Sequence, residues 1–141
     1  MTSVDENYSA IGALVLRLAL GAMWIAHAML KWFVFTISGF AGWLESEGLP
    51  SLMAWPVFSL ELIGGIMIVL GLYGRYVSAF LIPVMLVAAW THSANGWAHT
   101  SAGGGWEYPV FLIFASIAYT LIGDGRYALR SSQALIPSRF Q

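Results

Sequence analysis

The sequence predicts an all-α integral membrane protein, a four-helix bundle with both termini on the inner side and a short interfacial amphipathic segment after the first helix. Three observations carry this. Four stretches of about 20 mostly apolar residues recur, each long enough to span a bilayer. Of 141 residues, 59% are hydrophobic and only 9% charged, whereas soluble domains carry roughly 25% charged residues. A small globule leaves too much surface exposed to hide that many apolar side chains. The connections between the stretches are also chemically distinct, and each fits the turn it must make. The same composition argues against disorder. With a net charge of −1 and no basic tract, nucleic-acid binding has no support. There is no cysteine, so disulfides, Cys-ligated clusters and thiol chemistry are absent from this chain.

The first span covers about residues 10–33. Ala26-His27-Ala28 resembles a signal-peptide cleavage site. The preceding leader is acidic at Asp5 and Glu6, and Arg17 interrupts the apolar run, so the segment reads as a retained helix. Residues 34–51 are too apolar for a solvated loop. Phe40, Trp43 and Leu44 oppose Glu45 and Glu47, the pattern of a helix lying in the interface. The second span covers about 52–73. Gly74-Arg75 then forms a tight turn into an antiparallel third span, about 76–95, which carries Pro83. Residues 96–106 are rich in Gly, Ser and Thr and read as a flexible or tightly turning loop. The fourth and shortest span covers about 107–123. The whole chain forms a single membrane domain.

Arg75, Arg126, Arg130 and Arg139 fall on one side of this topology and only Lys31 on the other, which places both termini inside. Trp32, Trp43, Trp55, Trp90, Trp97 and Trp106 gather towards the outer face, mostly as an aromatic belt, with Trp24 deeper.

Charged side chains at mid-membrane cost about 2.5–3.5 kcal/mol on insertion scales, so those that persist need partners. Arg17 and Glu61 lie about 7 and about 12 residues from the inner ends of their helices, a gap that a long Arg side chain spans. They are expected to form a buried ion pair, structural in role, with a proton or redox relay as the rival reading. On the first span, Arg17, Gly21, Trp24, His27 and Lys31 share one face. His27 and His92 sit at similar depth near the outer ends of their helices. His99 lies in the following loop and Glu107 opens the fourth span. His27, His92, His99 and Glu107 could therefore ligate a transition metal. His27 and His92 could instead hold a haem through its axial positions. A histidine beside Lys31 or Glu107 could bind a quinone headgroup and exchange its protons. Trp24 and Trp90 are candidates to line the bound cofactor. The spacing matches no metal motif such as HExxH, and interfacial snorkelling accounts for His99 equally well.

The chain resembles the DoxX family of small four-span bacterial membrane proteins, from about Leu16 to Leu129. The resemblance rests on RLALGAMWIAHAMLKWF, with Arg17, Gly21 and Lys31, and on ELIGGIMIVLGLYGR, with Glu61, Gly64, Gly65, Gly71 and Arg75. GGGWEYPV adds Glu107, and GDGRYAL adds Asp124 and Gly125. The family often has a glycine where this chain has Ala28, a difference that concerns packing. The resemblance implies an inner-membrane subunit or accessory of a quinone-coupled oxidoreductase, such as a terminal quinol oxidase or thiosulfate:quinone oxidoreductase, working with protein partners. On that reading His27, Lys31 and Glu107 handle protons and charge near the outer face. Two other classes stay open: a non-enzymatic scaffold for a partner complex, and a small transporter or metal carrier. A homo-oligomer through the Gly-rich second span also stays open.

Overall fold

The computed structural model describes residues 3–132, which leaves Arg139 outside the described residues. Its elements are α1 (Ser3–Met29), α2 (Ile37–Ser46), α3 (Ala54–Leu70), α4 (Gly74–Thr91) and α5 (Glu107–Ile122), with no strand among the described residues. The all-helical prediction therefore holds, with helices that suit a membrane bundle. Three stretches are long and apolar enough to cross a membrane: 3–34, 51–70 and 74–91. The fourth, α5, is apolar but has 16 residues.

Each boundary has a local cause. In α1, Asp5 and Glu6 occupy the first turn, where the helix dipole favours acids. Its far end widens into a π-helical turn over Leu30–Val34, with the Phe35 N–H donating to the Leu30 carbonyl. Such a turn inserts an extra residue and re-aims the side chains beyond it. Thr36 follows at φ 60, an unusual conformation for a β-branched residue. Its hydroxyl accepts the Gly39 N–H at 3.1 Å and so caps α2. The amphipathic segment is thus a helix, and it buries Phe40 and Leu44 against Ala54 at the start of α3. Gly71, left-handed at φ 67, ends α3, and Leu72 N–H returns to the Met67 carbonyl. The reversal thus occupies Gly71 to Tyr73 and α4 already begins at Gly74. It lies earlier than the expected Gly74-Arg75 turn because Gly71 supplies the left-handed cap.

The helices pack in the cyclic order α1, α3, α4, α5, with the last returning to α1. Between α1 and α3 the backbones touch. A Cβ on Gly21 would lie 2.9 Å from the Gly65 carbonyl oxygen, and one on Gly65 would lie 2.9 Å from the Ile25 nitrogen. Small residues permit this approach, which replaces the hydrophobic drive that lipid cannot supply. Gly64 faces the Leu81 side chain of α4. Both glycines are therefore used inside the bundle. The shared core contains Leu20, Trp24, Ile68, Leu81, Met85 and Leu112. Large apolar side chains such as Phe80, Phe114 and Leu121 are exposed instead, as suits a surface that meets lipid.

The bundle has two unlike ends. At one, here the loop end, lie α2 and residues 92–106. At the other, the cap end, residues 123–132 fold back under the helices.

Candidate functional site

At the cap end Arg17 is 2% exposed, yet it does not meet Glu61. Its Nη1 donates to the Asp124 carbonyl at 2.7 Å and Nη2 to the Tyr127 carbonyl at 3.4 Å. The expected Arg17–Glu61 pair is thus not formed. The returning C-terminal stretch supplies backbone acceptors to Arg17, and Glu61 is engaged from the opposite end. Asp124 organises the cap. Its carboxylate accepts the Tyr119 hydroxyl at 2.6 Å and the Ser132 N–H at 2.5 Å. Backbone bonds from Arg126 to Ala10, and between Tyr73 and Arg130, fasten the rest. Gly74 admits this knot, since a Cβ there would strike Tyr119 and Asp124.

Burial acts to raise the Asp124 carboxyl, but hydrogen bonds from Ser132, Tyr119 and the Arg75 backbone outweigh it and hold the group below its ordinary value. A carboxyl depressed in the folded state adds stability above its unfolded pKa of about 3.9 and loses it as pH falls through the folded value. The cap is therefore expected to loosen in acid, below about pH 4. Hydrogen exchange of residues 123–132 measured against pH should show that onset. Asp124→Asn should exchange faster at neutral pH and show no acid step; an acid step that survives in the variant would clear Asp124.

The loop end holds the polar groups that bear chemistry. The π-helical turn directs Lys31 back to the bundle, where Nζ bonds Glu61 Oε2 at 2.7 Å. The side chains are 12% and 2% exposed. Phe40 of α2 lies under the ammonium, 5.0 Å from its ring centre. His27 is near enough to act on Glu61 electrostatically. Its Nδ1 lies 2.8 Å from the Met23 carbonyl. A carbonyl only accepts, so Nδ1 carries a proton and Nε2 is left for other partners. The imidazole stacks on Tyr108 with centroids 5.5 Å apart. Trp24, one turn below His27, is 2% exposed. Two buried polar atoms here, Trp24 Nε1 and the Tyr108 hydroxyl, have no hydrogen-bond partner among the described residues. Buried donors are rarely left so.

The remaining candidates lie apart from this cluster. His92 Nδ1 lies 2.8 Å from the Ala88 carbonyl, and the ring packs beside Trp43 and the Gly104 backbone. It thereby pins the loop. Glu107 Oε1 accepts both the His99 backbone N–H and His99 Nδ1, each at 2.7 Å. That clasp, with Trp97 edge-on to Trp106, makes residues 96–106 a tightly turned loop. Trp90 is 60% exposed on α4.

No three His, Asp or Glu side chains converge among the described residues. The expected His27, His92, His99 and Glu107 set therefore does not fit a metal centre. The two histidines proposed as an axial haem pair sit in different surroundings: His27 stacks on Tyr108, whereas His92 packs beside Trp43 and the Gly104 backbone. Tyr108 was not singled out from the sequence; its only signal was an aromatic ring next to Glu107 at the start of a span.

The family model DoxX matches residues 12–94. The protein named "Putative oxidoreductase CatD" of Bacillus subtilis (strain 168) is 30% identical over 122 residues, covering 84% of this chain and 84% of that protein. No solved structure matches.

Proposed function

The chain belongs to the DoxX family of membrane proteins, and from that premise we propose that it is a redox-linked, four-span component of a bacterial inner membrane whose loop-end chamber receives a quinone headgroup. The side assignment follows the Lys and Arg distribution and puts the chamber towards the outer face. One observation carries the reading. The two unpartnered buried donors, Trp24 Nε1 and the Tyr108 hydroxyl, belong to the helical core, Trp24 one turn below His27 and Tyr108 stacked on it. A quinone offers two carbonyl acceptors on a flat ring, which suits such donors and an aromatic lining. Its reduction takes up two electrons and two protons. The chain's own residues bind and orient the ring, with His27 Nε2 as the group that exchanges protons. Lys31 sets positive charge beside it. The electrons come from a partner redox protein, in keeping with the oxidoreductase name of the Bacillus relative.

The test is lipid extraction of the detergent-purified protein. Wild type is expected to retain quinone in a fixed ratio. Trp24→Phe combined with Tyr108→Phe keeps an aromatic ring at each position, a smaller one at 24, and removes two hydrogen bonds, each contributing about 0.5–1.5 kcal/mol. Quinone retention should fall about tenfold. A wild-type protein free of quinone, or a double variant that retains it unchanged, would overturn the reading.

A further inference from the structure

A concavity lies on the outside of α5. It is a groove of about 490 Å³ whose lining includes Trp97, His99, Glu107, Tyr108, Phe111 and Phe114. Positions 107, 111 and 114 follow the helical i, i+4, i+7 spacing, so they share one face. From Glu107 to Phe114 the groove descends about 10 Å along the helix. It is polar at the loop end and apolar below, where Phe111 and Phe114 are 66% and 67% exposed. Tyr108 links the groove to His27, since it lines the groove and stacks on that imidazole. Its hydroxyl is buried and unpartnered.

Resting on the quinone reading above, we infer that this groove is the lateral access path from the membrane and holds the isoprenoid tail of the quinone, with Tyr108 at the boundary between tail and headgroup. The polarity gradient fits an amphiphile with its head towards the loop end. A phospholipid is the poorer occupant. The carboxylate of Glu107 repels a phosphate, and the nearby His99 is already bonded to that carboxylate. A phosphate headgroup also cannot stack beside Tyr108 as a flat ring does. A tail already in lipid gains no hydrophobic transfer on seating here. The groove acts through packing and by fixing the depth of the headgroup.

The experiment compares two ligands by calorimetry on the protein in lipid nanodiscs. One is a methoxybenzoquinone without a tail; the other carries the same headgroup with a tetraisoprenyl tail. Val110→Trp narrows the groove, which Val110 also lines. It should weaken the tailed ligand about tenfold, a loss of roughly 1.4 kcal/mol, and leave the tail-less one within about twofold. Phe114→Ala, at an exposed site that tolerates truncation, should give the same split. Leu121→Trp, on α5 but outside the groove and 69% exposed, should change neither. Equal weakening of both ligands by Phe114→Ala, or no weakening of the tailed one, overturns the groove while leaving the chamber intact. If wild type binds neither ligand, the chamber reading fails and the groove's role fails with it.

Discussion

Lys31→Met is expected to destabilise the bundle by about 3–5 kcal/mol, because it leaves the Glu61 carboxylate buried without its counter-charge. Glu61 is 1% exposed and bonded to Lys31 through Oε2. It cannot reach the headgroup region from the middle of α3. The reciprocal change, Glu61→Leu, should cost less. Lys31 sits in the final turn of the first span, and a long ammonium side chain can swing out to water. The decisive variant is Lys31→Met with Glu61→Leu. Replacing both partners of a buried pair with apolar groups is often neutral, so the double variant should recover most of the loss. Thermal unfolding in detergent reads all three. A double variant whose loss equals the sum of the two single losses would mean the two residues contribute independently. The same protein separates architecture from binding. If the pair orients a headgroup, the refolded double variant should retain its melting temperature and lose quinone.

Arg17→Met is expected to release residues 123–132 from the bundle at a cost of about 3–6 kcal/mol. Hydrogen bonds to charged groups contribute about 1.5–3 kcal/mol each. Arg17 makes two, to the carbonyls of Asp124 and Tyr127. Arg126 and Arg130 are exposed, so trypsin should cut the variant at these sites much faster than wild type. Arg17→Lys should rescue only in part. A single ammonium cannot fork to two carbonyls as a guanidinium does. Wild-type resistance to trypsin in Arg17→Met would show that the other cap bonds suffice without it.

These two residues also show how far the sequence could be read. The apolar runs and the amphipathic stretch around Phe40 and Leu44 were legible, because helix and bilayer periodicities write themselves into residue type. Arg17 and Glu61 were each legible as buried charges. Their partners were not. Matching them by depth assumed that only side chains on neighbouring spans could answer a charge. The true acceptors of Arg17 are backbone carbonyls, which every residue carries and no residue type signals. The true partner of Glu61 depends on a π-helical turn that re-aims Lys31, and that inserted residue leaves no mark on hydrophobic spacing. The three histidines were legible as unusual, but equal depth did not bring them together. His27 faces the core beside Tyr108, whereas His92 and His99 hold the loop. Asp124 and Gly125 were noticed only as part of a family pattern. Asp124 is the hub of the cap, as the Tyr119 and Ser132 bonds show.

The distance along the chain between Arg17 and its acceptors has a bearing on biogenesis. Arg17 and Asp124 are separated by 107 positions. During synthesis the first helix is delivered to the bilayer long before the carbonyls that solvate its guanidinium exist. Until then the helix carries an insertion penalty of about 2.5–3.5 kcal/mol. Arg17 is therefore without these acceptors until the residues after α5 have been made. Docking of the final stretch onto Arg17 then supplies the acceptors that answer its charge. A chain truncated before Asp124 is therefore expected to be turned over faster than the full chain, which a pulse-chase measurement reads.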